Sequence, residues 1–178
     1  MMHALTILAG LAQITTMGVS SPNNATEAFA ILEGNWQGQL EYRDYQSNMM
    51  QAIPLDVEFE KIPDNTTFLQ RSVFTDPGFP VRITTMVNVE GETVSVSNSR
   101  AGRAFESYAQ TAHLTAGSVA DSWTMTLTRI YQDDNRPAAI REVMVHNQGK
   151  LTVTKEIDFL DDEATEWVFR NRVTLSAQ

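Results

Sequence analysis

The stretch Trp123-Thr124-Met125-Thr126-Leu127-Thr128 has the most regular alternation of apolar and polar residues in this sequence. Successive side chains of a β-strand point to opposite faces, so the pattern predicts a strand with one buried face and one solvated face. Threonine is a good strand former, which suits the three threonines to the solvated face. The stretch therefore predicts a half-buried strand.

The same alternation recurs from Trp36 to Leu175, and turn residues interrupt it about every ten positions. We predict ten strands, of which the first covers Trp36 to Tyr45 and the last about Glu166 to Leu175. The short connections leave no room for crossover helices, so the sheet is predicted to be antiparallel. An up-and-down barrel buries one face of such a sheet and removes its exposed edges. A two-sheet sandwich, which has similar strand signals, is the structural alternative.

The residues before the first strand predict a leader and one short helix. No Lys, Arg, Asp or Glu precedes Glu27, and the chain before it is largely apolar, although it lacks a positively charged start. We interpret residues 1–21 as a signal peptide or a disordered leader, which predicts a periplasmic or secreted protein, and residues 22–178 as one barrel domain. Asn24 and Glu27 have capping-box spacing for a helix from Ala25 to Leu32, ended by Gly34.

The composition excludes several classes of function. Hydrophobic residues make up 42% of the chain and charged residues 20%, as in a folded globular protein. A net charge of -9 opposes binding to nucleic acid, which requires clustered Lys and Arg. There is no cysteine, so disulfides and thiolate chemistry are excluded. No apolar run reaches the roughly 20 residues of a membrane-spanning helix, so we expect no membrane insertion of the mature protein.

The helix that leads into Gly34-Asn35-Trp36 resembles the opening of lipocalins and their calycin relatives. The first strand, Trp36 to Tyr45, also resembles that of uncharacterised bacterial lipocalin-like proteins, with the pattern Trp-x-Gly-x-Leu-x-Tyr-x-Asp-Tyr. The resemblance implies a calycin barrel with a ligand pocket, in which Trp36 lies at the closed end. It also implies that an arginine of the last strand packs on Trp36. Of Arg170 and Arg172, we expect Arg172 to do so, because it lies nearer the chain end.

Two cations and a phenol are predicted to point into the barrel. Arg129 and Tyr131 share the phase of Leu127 on the seventh strand, and Lys155 shares the phase of Phe159 on the ninth. An unpartnered buried cation is costly, so a negative group should meet it.

The functional interpretation is a site for a small apolar or amphipathic ligand that could carry a carboxylate. Its head group would meet the inward cations and phenol, and its tail the apolar residues. The residues predicted to bind it are Trp123, Met125, Arg129, Tyr131, Lys155 and Phe159. The alternative is that these side chains reach water at a strand end, or pair with Glu142 or Asp44.

His113 and His146 are the histidines outside the leader. They allow two alternatives: a haem-binding barrel with one histidine as axial ligand, near Met144 or Met125, or a small isomerase or hydrolase using a lumen histidine. No hydrolase or phosphate-loop motif is present, and we predict no catalytic residues, no resident cofactor and no metal site.

These observations favour a binding module over an enzyme. A third class is an interaction domain whose lumen is filled by side chains. The sequence makes no prediction of oligomeric state.

Overall fold

The computed structural model describes residues 21–44, 47–76, 78–117, 119, 121–133 and 135–178. The predicted leader up to residue 20, and Tyr45 at the predicted end of the first strand, lie outside these residues. Within the described ranges, no helix is long and apolar enough to cross a membrane.

In the described part of the chain, helix α1 and ten strands make up the fold, and the sheet closes on itself. Each strand pairs antiparallel with its neighbours in the chain, and β10 pairs with β1, so the predicted up-and-down barrel is confirmed and the sandwich is wrong. The elements are α1 Ala25–Ile31, β1 Gly34–Arg43, β2 Met50–Lys61, β3 Thr67–Asp76, β4 Phe79–Glu90, β5 Thr93–Arg100, β6 Glu106–Ala116, β7 Ser122–Asp133, β8 Arg136–Asn147, β9 Lys150–Phe159 and β10 Val168–Ala177.

Strand β7 has the two faces that its alternation predicts. Trp123, Met125 and Leu127 are buried inside the barrel, while Thr128 and Ile130 are exposed on its outer surface. In the other strands, too, alternate side chains face the interior, so the barrel has an apolar interior without any crossover helix.

Helix α1 covers one end of the barrel, which we call the closed end. The side-chain oxygen of Asn24 accepts a hydrogen bond from the backbone N–H of Glu27 at 2.9 Å, and the Asn24 amide donates to the Glu27 carboxylate at 3.0 Å. The first of these bonds satisfies a backbone donor that a helix start leaves free, and the second holds the two capping side chains together. Phe29 on the buried face stacks on Phe68 of β3, with ring centroids 5.6 Å apart. The opposite end, where β1 ends and β2 begins, is called the mouth.

Trp36 joins the helix to the first strand. Its indole N–H donates to the carbonyl oxygen of Leu32, at the end of α1, over 2.7 Å. Gly34 has a φ of 126°, a value that other residues rarely adopt, and so lets the chain turn from helix into strand. Trp36 is buried at the closed end, as the resemblance implies.

The expected contact between Arg172 and Trp36 is wrong. Arg172 is opposite Glu41 on β1, whereas Trp36 is opposite Ala177. The Arg172 side chain is exposed, and its guanidinium lies 5.6 Å from the ring centroid of Phe169. In this part of β10 the odd-numbered residues, such as Val173 and Leu175, face the interior. Arg172 therefore faces outward, and it lies several residues from the closed end.

The seam between β1 and β10 requires a glycine at position 38. A Cβ atom added to Gly38 would overlap the carbonyl oxygen of Thr174 on β10. Since that oxygen belongs to the backbone, only a shift of the strand could relieve the overlap.

We expect Gly38→Ala to lower the free energy of unfolding by about 3 kcal/mol, because it forces the two strands of the seam apart. Urea denaturation measures the loss. Gln39→Ala is the matched control, since Gln39 is exposed on the outer face of the same strand; we expect a change within about 0.5 kcal/mol. Equal stability of the two variants would show that the seam tolerates a Cβ atom.

Candidate functional site

The barrel encloses a cavity of about 230 Å³, which we call the central cavity. Phe29 of α1 lies at its closed end, and the inward-facing residues of β2 to β10 form its wall. Much of this wall is apolar; its residues include Leu55, Phe59, Val87, Val96, Leu127, Met144, Val153 and Val173. A largely apolar cavity of this kind favours small molecules with little exposed polarity.

Most polar side chains that line the central cavity pair with one another. The Gln70 amide donates to the hydroxyl of Ser72 at 3.0 Å, and the Thr85 hydroxyl donates to the side-chain oxygen of Asn98 at 2.8 Å. These bonds satisfy part of the hydrogen-bonding capacity of one side of the wall.

Gln110 is the exception among the described polar residues of this wall. Its side chain is 3% exposed, and neither its amide nitrogen nor its amide oxygen has a hydrogen-bond partner within the described part of the chain. Buried amides normally have at least one partner, so this amide lacks the pairing that its burial calls for. Gln110 shares the inward phase of Tyr108 and Ala112, but it was not among the residues predicted to bind a ligand.

Arg129 points inward, but its charge is already paired. Its guanidinium lies 3.1 Å from the carboxylate of Glu142 and 4.0 Å from the ring centroid of Tyr108. The Arg129 side chain is only 7% exposed. The pairing with Glu142 was the alternative to a ligand carboxylate. Because Glu142 neutralises this cation, Arg129 does not offer a free positive charge to an anionic head group.

Arg129, Tyr131 and Lys155 meet in a second pocket of about 320 Å³, which we call the mouth pocket. Tyr131 is 54% exposed there, so it lies at the rim rather than in the lumen. The pocket shares Asn98, Tyr108 and Glu142 with the central cavity. Its charged residues are two cations and three carboxylates, namely Arg129, Lys155, Glu106, Asp133 and Glu142. This balance does not favour an anion.

The apolar residues predicted to hold a ligand tail lie elsewhere. Trp123 and Met125 are fully buried in the core and do not line the central cavity. Phe159 lies against Arg136 and Arg170, whose guanidinium carbons are 3.7 and 5.6 Å from its ring centroid. The structure therefore brings the predicted polar residues together but separates them from the predicted apolar ones.

His146 is part of an aromatic cluster at the closed end. Its ring stacks on Trp123, with centroids 5.5 Å apart, and meets the edge of Trp36 at 6.0 Å. Its Nδ1 lies 3.1 Å from the carbonyl oxygen of Asp121. With the ring enclosed in this way, His146 has a packing role at the base of the barrel.

Neither histidine suits the haem or enzyme alternatives. His113 is exposed on the outer face of β6, and neither His113 nor His146 lines the central cavity. An axial histidine has to present a ring nitrogen to the space that holds the haem, so these residues do not fit a haem in this cavity. Among the described residues, no three His, Asp or Glu side chains are grouped so that they could hold a metal ion.

Tyr108, which lines both the central cavity and the mouth pocket, has a raised pKa. Burial raises the pKa of Tyr108, and the Glu142 carboxylate raises it further, while Arg129 and a hydrogen bond with Asn98 act in the opposite direction. Tyr108 therefore stays a neutral phenol over a wider pH range than an exposed tyrosine.

The fold and cavity define a ten-stranded antiparallel barrel with an internal pocket. Its fold is similar to that of Rv2717c from M. tuberculosis, whose crystal structure superposes with a TM-score of 0.61 over 86% of this chain and 97% of that chain. The two sequences are 14% identical, so the similarity concerns the fold alone. No family model matches the chain, and no curated protein matches it.

We expect Arg129→Met to lower the free energy of unfolding by about 3 kcal/mol, because it leaves the Glu142 carboxylate without its cation. In a double-mutant cycle with Glu142→Gln, measured by urea denaturation, the coupling energy should exceed about 1 kcal/mol. The control cycle is Arg71→Met with Glu58→Gln, an exposed pair 3.2 Å apart on the outer surface, which should couple more weakly. Additive losses at Arg129 and Glu142 would contradict the pairing.

The raised pKa of Tyr108 predicts a loss of stability in alkali. In the unfolded chain the phenol ionises near pH 10, while the folded state still holds the proton, so stability falls as the pH rises from there towards the folded pKa. Thermal unfolding between neutral and alkaline pH measures this slope. Tyr108→Phe should flatten it, and Tyr131→Phe at the exposed rim should not. An unchanged slope in Tyr108→Phe would refute the assignment.

Proposed function

We propose that this protein binds a small, largely apolar molecule in the central cavity of its barrel. The observation that carries the proposal is a largely apolar cavity of about 230 Å³ inside the barrel. A cavity of about 150 Å³ accommodates benzene, and pockets for drug-sized ligands start at about 300 Å³. The size therefore favours a molecule with one ring or a short chain.

The polar part of the ligand would be neutral. Arg129 and Glu142 already form an inward ion pair, with a guanidinium nitrogen 3.1 Å from a carboxylate oxygen. A ligand carboxylate would have to break this pair, and its own desolvation would oppose entry. This changes the expectation from the sequence, which allowed a carboxylate at Arg129, Tyr131 and Lys155.

Membership of the lipocalin-like calycin superfamily is part of the proposal. Its support is the helix that leads into Gly34-Asn35-Trp36, with Trp36 buried at the closed end of a ten-stranded barrel. The resemblance also implies an arginine packed on Trp36, but Arg172 does not make this contact. The largely apolar leader supports export to the periplasm or the exterior, where such a barrel would act as a carrier.

Calorimetric titration of the full chain with α-methylstyrene, a neutral one-ring hydrocarbon, tests the cavity. We expect saturable binding to one site per chain, because the apolar wall removes the ring from water. Val96→Phe fills part of the cavity from β5 and should weaken binding about tenfold or more. Native mass spectrometry of the purified protein adds a direct search for a co-purifying small molecule.

The matched control for this experiment is Val145→Phe, in which the same change is made on the exposed outer face of β8. Its affinity for α-methylstyrene should equal that of the unchanged protein. If the unchanged protein does not bind α-methylstyrene, or if both valine variants bind it equally well, the proposal is wrong.

A further inference from the structure

We propose that Gln110 selects the ligand, and that the ligand carries a neutral group with a hydrogen-bond donor and an acceptor side by side, as in a carboxamide or a lactam. The inference rests on the proposed function, because it needs a molecule in the central cavity. It adds to that function a chemical class of ligand and the residue that recognises it.

The Gln110 amide is isolated from the other polar groups that the structure describes. Its nitrogen and oxygen are both buried, and neither has a partner within the described residues. Gln70 in the same wall has a partner in Ser72 at 3.0 Å, so an unpaired amide is not a general property of this cavity. A buried polar group without a partner is unfavourable, and a bound molecule that pairs with it removes this penalty.

The shape of the Gln110 amide defines the group that can pair with it. A glutamine amide presents N–H donors and a carbonyl acceptor on one planar unit. A carboxamide or lactam presents the same two functions in reversed order, so the two planes can form two parallel hydrogen bonds once the Gln110 side chain turns its buried amide towards the cavity. Both amide atoms are unpartnered within the described residues, so this turn breaks no side-chain hydrogen bond among them.

The surroundings of Gln110 disfavour a charged ligand. The neighbour of Gln110 across the β5–β6 ladder is Val94, which is fully buried. Glu142, the charged residue among those described in the wall, forms an ion pair with Arg129. A charged ligand at Gln110 would therefore lose its hydration without gaining a counter-charge, whereas a neutral amide loses less and recovers two hydrogen bonds.

Four probes of nearly equal shape test the selection by calorimetric titration of the full chain. Benzamide offers a donor and an acceptor, acetophenone an acceptor alone, α-methylstyrene neither, and benzoate a negative charge. We expect benzamide to bind about tenfold more tightly than acetophenone or α-methylstyrene, as one or two net hydrogen bonds imply, and benzoate to bind most weakly.

Gln110→Met keeps the size of the side chain and removes the amide. In this variant benzamide should lose its advantage of about tenfold, while α-methylstyrene binds as well as before or better. The matched control is Gln70→Met, which changes the same residue type in the same wall and should keep the preference for benzamide. If Gln110→Met does not fold, Gln110→Leu makes the same comparison.

The ligand-free proteins provide a second readout. Gln110→Met should unfold at the same temperature as the unchanged protein or at a higher one, since it removes an unpaired buried amide. Gln70→Met should unfold at a lower temperature, because it leaves Ser72 without its partner.

Three other outcomes would overturn the inference, and they can be told apart. If α-methylstyrene binds but benzamide is not preferred, Gln110 is satisfied by water alone and the cavity proposal stands without it. If benzamide keeps its preference in Gln110→Met and Gln110→Leu, another group recognises the amide. If none of the four probes binds, the proposed function fails and this inference fails with it.

Discussion

The hydrogen-bonded pairing of β1 with β10 is the constraint on which the rest of the structure depends. Residues from Trp36 to Tyr42 pair with residues from Ala177 back to Asn171, so the first and last strands leave no free edge. Without this seam the inward residues would form one face of an open sheet in contact with water. The central cavity exists only because the sheet closes, and Gly38 lets the two backbones approach closely enough to do so.

Period-two patterning was sufficient to predict the ten antiparallel strands, and it favoured a closed barrel over a two-sheet sandwich. Ten alternating segments with short turns between them require an antiparallel sheet, and closure removes its edges. The strand bounds differ by about two residues at β1 and β10, where the chain begins and ends the seam. The capping pattern of Asn24 and Glu27 likewise predicted α1, because those side chains bond only to neighbours within the sequence. Local rules worked where the interactions are local.

The candidate site was less predictable, because alternation assigns a side chain to a face but not to a depth. Trp123, Met125 and Arg129 share one phase of β7, yet the first two are packed in the core and the third lies near the mouth. The partner of Arg129 was also left open: the sequence allowed Glu142, Asp44 or a ligand carboxylate, and the observed register of β7 and β8 brings Glu142 to Arg129. Gln110 shares the phase of Tyr108, but a lone glutamine among small residues has no signal of burial in the sequence.

The distribution of polar groups explains how a mainly apolar barrel can be selective. A fully apolar cavity distinguishes ligands by size, and one methylene group changes affinity only modestly. A buried group that needs a partner discriminates more strongly, because every ligand that fails to pair with it leaves it unsatisfied. In the described part of the wall, the charged and hydroxyl side chains have partners in the protein, so they stabilise the barrel without recognising a ligand. On the proposed function, recognition would then depend on Gln110, whose neutral amide needs hydrogen-bond partners but carries a smaller desolvation penalty than a charge.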